Sequence, residues 1–129
     1  MKGDEFDPNI VNHRIGINST EQWKKGDKGI YAPILKYSCW KYSTEMGREY
    51  LQVDILVDEI VNKLFDKIEA ISSIKKEFDL DSVLEIVMFV DMNDEEHTPE
   101  LGHDLKTIEF LYKTQTITDV DIYRFDSRK

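Results

Sequence analysis

A single cysteine, Cys39, is all that the 129-residue chain carries, so no internal disulfide is open to it. Nothing therefore points to an oxidising compartment or to a disulfide scaffold. Long apolar runs are also missing. The longest, Ile86 to Val90, falls far short of the ~20 residues that span a bilayer as a helix. No apolar stretch follows Met1, so no secretory signal is expected in the chain as given, and a cytoplasmic location is the default. Internal repeats, low-complexity linkers, a nucleophile elbow and a glycine-rich phosphate loop are absent too. Gly26-Asp27-Lys28-Gly29 lacks the spacing and the Lys-Ser/Thr ending of a phosphate loop, and reads as a tight turn.

Positive charge is missing from one window. Between Glu77 and Leu105 there are ten acids, namely Glu77, Asp79, Asp81, Glu85, Asp91, Asp94, Glu95, Glu96, Glu100 and Asp104, and no Lys or Arg. The net charge of −9 arises there, because the rest of the chain is nearly balanced. Phosphate backbones and anionic membranes need Lys and Arg, so neither nucleic acid nor a membrane is an expected partner. A basic protein face or a metal ion suits this balance better. Solubility alone is the competing explanation.

What is present fits one α+β domain, residues 1–129. Asp7-Pro8 reads as a helix cap and first turn, with Gly16 as the stop. Ser19 to Gly29 is polar and loop-like, and Tyr37 to Tyr42 alternates as a strand. Leu56, Val57, Ile60, Val61, Leu64, Phe65 and Ile68 share one face of a helix that starts near Val53 and continues to Phe78. Ser72 and Ser73 predict a break between Ala70 and Ser73. Val83 to Val90 reads as a central strand, Met92 to Thr98 as an acidic loop, and Pro99 to Gly102 as a short edge strand. Asp104 is placed to cap a helix to about Lys113, with Leu105, Ile108, Leu111 and Tyr112 inward. Ile117 to Phe125 is a last strand, in which Ile117, Asp119, Asp121 and Tyr123 oppose Thr118, Val120, Ile122 and Arg124. The expected fold is α+β: a mostly antiparallel sheet, packed on one face by a long, broken helical segment plus short helices.

Each candidate chemistry has a plainer competitor. The acidic loop invites calcium, but the positions that need Gly and a bidentate Glu hold Glu96 and Gly102. His97 and His103, with acids between, make a weak zinc alternative that lacks a nearby thiolate. Cys39 sits beside Trp40, where packing suits it better than catalysis. Trp23, Tyr31, Tyr37, Trp40 and Tyr42 interleave with lysines, a pattern that single-stranded nucleic acid can use. The acidity of the rest argues for Trp40 in the core and Trp23 sealing a loop.

Several short motifs are shared with a known family. Gly3-Asp4 with Phe6-Asp7-Pro8 and Ile10, Lys25-Gly26-Asp27, Trp40 in a strand, the paired helical segment and Asp121-Ile122-Tyr123 resemble the bacterial domain-of-unknown-function family numbered 4279. The resemblance spans nearly the whole chain. It implies a compact α+β domain and brings no activity with it. Members usually have a strand leading into the Gly-Asp pair, and here Gly3 follows Met1 and Lys2. Either the start lies further upstream or the strand is lacking, and a lacking strand would leave unpaired backbone groups on its neighbour, which invites dimerisation or a partner's strand.

The reading that follows is a non-enzymatic protein-binding module without a cofactor. Its specific form is a toxin-neutralising immunity protein that presents Asp91, Asp94, Glu95, Glu96 and Glu100 to a basic partner. The alternatives are a small-molecule or metal-binding domain using His97 and His103, and a structural homodimer.

Overall fold

The computed structural model describes residues 1–30, 33–45, 53–93, 95 and 100–128. The chain opens with β1 (Lys2–Gly3) and α1 (Pro8–Ile15), followed by β2 (Glu21–Trp23) and β3 (Ser38–Lys41). Next come α2 (Val53–Leu64), a 3-10 turn (Phe65–Lys67) and α3 (Ile68–Phe78). A strand–helix–strand unit closes the fold: β4 (Val83–Asp91), α4 (Leu105–Thr114) and β5 (Ile117–Phe125). The α+β class stands.

Local chemistry explains the helix ends. The Asp7 carboxylate accepts the Asn9 N–H at 3.0 Å, Pro8 begins the helix, and Gly16 ends it at φ +77, where a side chain would be strained. The Asp104 carboxylate accepts the Thr107 N–H at 2.8 Å and starts α4 in the same way. Gly3 has a different reason to be glycine. A Cβ there would stand 2.5 Å from a methyl of Leu80, so a side chain would force the buried Leu80, just after α3, to shift.

Strand β3 lies between β1 and β2 and is antiparallel to both. Lys2 and Asp81 exchange two backbone hydrogen bonds, at 2.8 and 2.9 Å, in a further antiparallel bridge. That bridge joins this sheet to a second one, in which β4 and β5 pair in parallel over nine residues, from Val83↔Ile117 to Asp91↔Phe125. The parallel pair refines the expected antiparallel sheet. It follows from connectivity, since a crossover helix between two strands brings the second back in the same direction.

One core ties these parts together: Phe6, Val11 and Ile15 near the start, Trp40 on β3, Val57, Val61, Leu64, Ile71 and Ile74 from the helices, and Ile86 and Met88 on β4. Trp40 also donates its indole N–H to the Asn12 side chain at 2.7 Å, which satisfies the buried polar edge of the ring.

Four expectations are corrected. The helical break falls at Phe65–Lys67 rather than at Ala70 to Ser73, because the serines have tertiary partners: Ser72 donates to the Lys113 carbonyl and Ser73 accepts from Arg14. The Ser19 to Gly29 stretch contains β2, which is held by its pairing with β3. Glu100 to Gly102 is not a strand, and Pro99 lies outside the described residues. The buried side of α4 consists of Thr107, Phe110 and Thr114, whereas Leu105, Ile108 and Tyr112 are exposed. The Thr114 hydroxyl donates to the Phe110 carbonyl at 2.7 Å, so a polar residue is buried at little cost.

Candidate functional site

The strand β4 is apolar on both faces. Its even-numbered residues point to the helices: Ile86 and Met88 are each 6% exposed, and Leu84 packs against the core. Its odd-numbered residues point the other way, and β5 follows with Ile117, Asp119, Asp121, Tyr123 and Phe125 in the same register. On this outer face Phe89 is 52% and Tyr123 56% exposed, their rings stacked with centroids 5.5 Å apart. Val83, Val87, Ile117 and Phe125 are exposed beside them.

A parallel sheet is ordinarily covered on both faces, and near-continuous apolar strands are the mark of that burial. Here, among the described residues, the face that carries Leu84, Ile86 and Met88 joins the core and the other is left exposed. The acids at outward positions are Glu85, Asp91, Asp119 and Asp121, and no outward position of β4 or β5 is Lys or Arg. The surface is thus apolar and acidic together.

The loop acids are placed less uniformly. Asp94, Glu96 and His97 lie outside the described residues. Asp91 ends β4, where its carboxylate accepts the backbone N–H groups of Asn93 at 3.0 Å and Ser127 at 3.1 Å. Partial desolvation pushes its pKa up, but hydrogen bonds from Ser127 and Asn93 outweigh this and hold it below the usual carboxylate range. Asp91 therefore fastens the ends of β4 and β5 to each other. Glu95 and Glu100 are exposed. The backbone N–H of Glu95 donates to the Asn93 side chain at 3.2 Å.

His103 faces the helix side of the sheet, its Nε2 3.0 Å from the Thr118 hydroxyl. Among the described residues no three His, Cys, Asp or Glu side chains gather as a metal site would need. Cys39 is buried, and loss of solvent pushes its thiol pKa up, away from thiolate chemistry. Trp23 meets Tyr37 edge-on at 5.7 Å, and Trp40 stacks on Tyr42 at 6.5 Å, so these aromatics pack mainly with each other. Tyr31, also in that aromatic stretch, lies outside the described residues. No described helix is long and apolar enough to cross a membrane.

A family profile described as Domain of unknown function (DUF4279) matches residues 1–125. The chain belongs to this family. The match takes in both sheets and all four helices, so the resemblance carried by Gly3-Asp4, Trp40 and Asp121-Ile122-Tyr123 holds across the domain. No curated protein and no solved structure matches the chain.

The open face was missed at the level of sequence, although its signal was there. A run that is apolar at both odd and even positions, Val83 to Val90, calls for two covers. The acids were sought in the loop after β4, whereas Asp119 and Asp121 come from β5, far along the chain but next to β4 in the sheet.

Proposed function

We propose that the protein is a non-enzymatic protein-binding module that seats a basic partner on the outer face of β4 and β5. The observation that carries this reading is the half-exposed Phe89–Tyr123 stack, with Glu85, Asp119 and Asp121 just before it along the two strands. Aromatic side chains at the centre of a patch supply most of the energy in protein interfaces, and flanking charges select the partner and speed encounter. A second copy of the chain would bring acid against acid, so a basic protein is the better match. A toxin-neutralising immunity protein is the specific form of this reading. In it the acids, including the loop residues Asp94, Glu95, Glu96 and Glu100, occupy cationic sites of a toxin.

The test is affinity capture from host lysate with the wild type and an Asp119→Lys/Asp121→Lys variant, at low salt and at about 1 M salt, where screening reaches within a few ångströms. The expected result is a stoichiometric basic protein that leaves at high salt and does not bind the variant, whose melting temperature is unchanged. Equal capture by a folded variant would refute the assignment of the site.

A further inference from the structure

The loop between β2 and β3 is the chemical counterpart of the candidate face. Its base is a short ladder, in which Gly26 donates its N–H to the Leu35 carbonyl and Leu35 donates to the Asp27 carbonyl, each at 2.8 Å. Beyond that ladder Ile30 is 93% and Ile34 58% exposed, and Pro33 is exposed as well. The charges here have one sign. From Lys28 to Thr44 the chain holds Lys28, Lys36 and Lys41 and no acid. Lys41 is paired with Glu21 at 3.7 Å. Before the loop tip, Lys24 is paired with Asp7 at 3.8 Å and Lys25 with Asp4 at 3.5 Å. Lys28 and Lys36 are exposed and, among the described residues, have no ion-pair partner. Apolar side chains held in water cost free energy that a cover would recover, and groups of them mark contact sites.

The β4–β5 face is apolar with acids, and the loop is apolar with bases. Face to face, two copies oppose acid to acid. Loop to face, the signs are opposite and apolar side chains meet from both sides. We infer that the loop of one copy seats on the β4–β5 face of a second copy, with Ile30 and Ile34 against the Phe89–Tyr123 stack and Lys28 and Lys36 toward Glu85, Asp119 and Asp121. The inference rests on the reading of that face as the seat of a basic partner, and such a partner would displace the loop. The contact joins two different surfaces. Each end of the assembly therefore keeps a free loop or a free face, and growth continues with concentration unless a ring closes.

The experiment is analytical ultracentrifugation of the whole protein from about 10 μM to about 1 mM, the range of weak association. It compares the wild type, a loop variant Ile30→Ser/Ile34→Ser, and a face variant Asp119→Lys/Asp121→Lys. The wild type should show an average mass above the monomer that rises with concentration and falls at about 1 M salt. Each variant alone should associate at least about tenfold more weakly. Their equimolar mixture should associate as the wild type does yet stop at a dimer, because only one intact loop and one intact face can meet. A mixture that stays monomeric would overturn the contact. Association that survives in the loop variant would also overturn it, by assigning the face to something other than the loop. So would a wild type that is monomeric throughout. That last result would leave the basic-partner reading standing, since its own test is capture from lysate, which the loop variant should retain. Should the face variant fail to fold, NMR amide shifts of the wild type on dilution decide: Lys28, Ile30 and Ile34 should move together with Val87, Phe89 and Tyr123, and movement of one set alone would overturn the inference.

Discussion

The two faces of β4 have nearly the same chemistry and opposite fates. Ile86 and Met88 are buried in the core, while Val87 and Phe89, one residue away, are about half exposed. A strand's composition thus states how many of its faces want cover, and the rest of the chain decides how many receive it. In this domain one joins the core. The surplus apolar face, interleaved with acids, is where function is best sought.

The largest test of that contrast is mutational. Met88→Ala should lower unfolding free energy by about 2–5 kcal/mol, as a buried side chain truncated to alanine does. Phe89→Ala should lower it by no more than about 1 kcal/mol, because a half-exposed ring on an open face leaves no cavity. Denaturant unfolding measures both, and equal losses would show that the outer face belongs to the core.

A smaller effect separates the helix layer from the outer face by pH. Hydrogen bonds from the Thr107 N–H and hydroxyl hold the Asp104 carboxyl below its usual range. A depressed carboxylate contributes stability that is complete above its unfolded pKa and is lost as pH falls through the folded one. Asp104→Ala should therefore lower the melting temperature at about pH 7, and the difference should vanish near pH 2. Asp58 is shifted upward, by loss of solvent first and by the charge of Asp104 next, so it opposes folding when ionised. Asp58→Asn should raise the melting temperature at neutral pH and lose that advantage in acid. Glu85→Gln, on the outer face, should leave the melting temperature almost unchanged. A pH-dependent loss from Glu85→Gln larger than that from Asp104→Ala would reverse the assignment.

The smallest expected effect concerns Cys39. Its thiol is buried and its pKa is raised, so a disulfide reagent should react only as fast as the protein unfolds. Rapid labelling of the native state would show that the β1–β3 region opens on its own.

Local signals were legible in the sequence. Asp7-Pro8, Gly16 and Asp104 mark helix ends because capping is short-range chemistry, and Ile117–Phe125 alternates clearly enough to give both limits of β5. Partnership was not legible. The parallel pairing of β4 with β5 depends on α4 carrying the chain across, and the inward face of α4 depends on what it meets. Buried Thr107 and Thr114 therefore displaced Leu105 and Ile108, which a pattern of apolar residues favours. The acidic loop drew attention because its charges are consecutive, whereas the face built by Glu85, Asp119 and Asp121 exists only once two distant strands lie side by side.

The most direct measurement of the central claim compares the wild type with Phe89→Ala/Tyr123→Ala, recording melting temperature and capture of the basic partner on the same preparations. The account predicts a melting temperature within a few degrees of wild type, as for ordinary surface changes, and loss of the partner. A folded double variant that holds the partner as tightly as the wild type would contradict it.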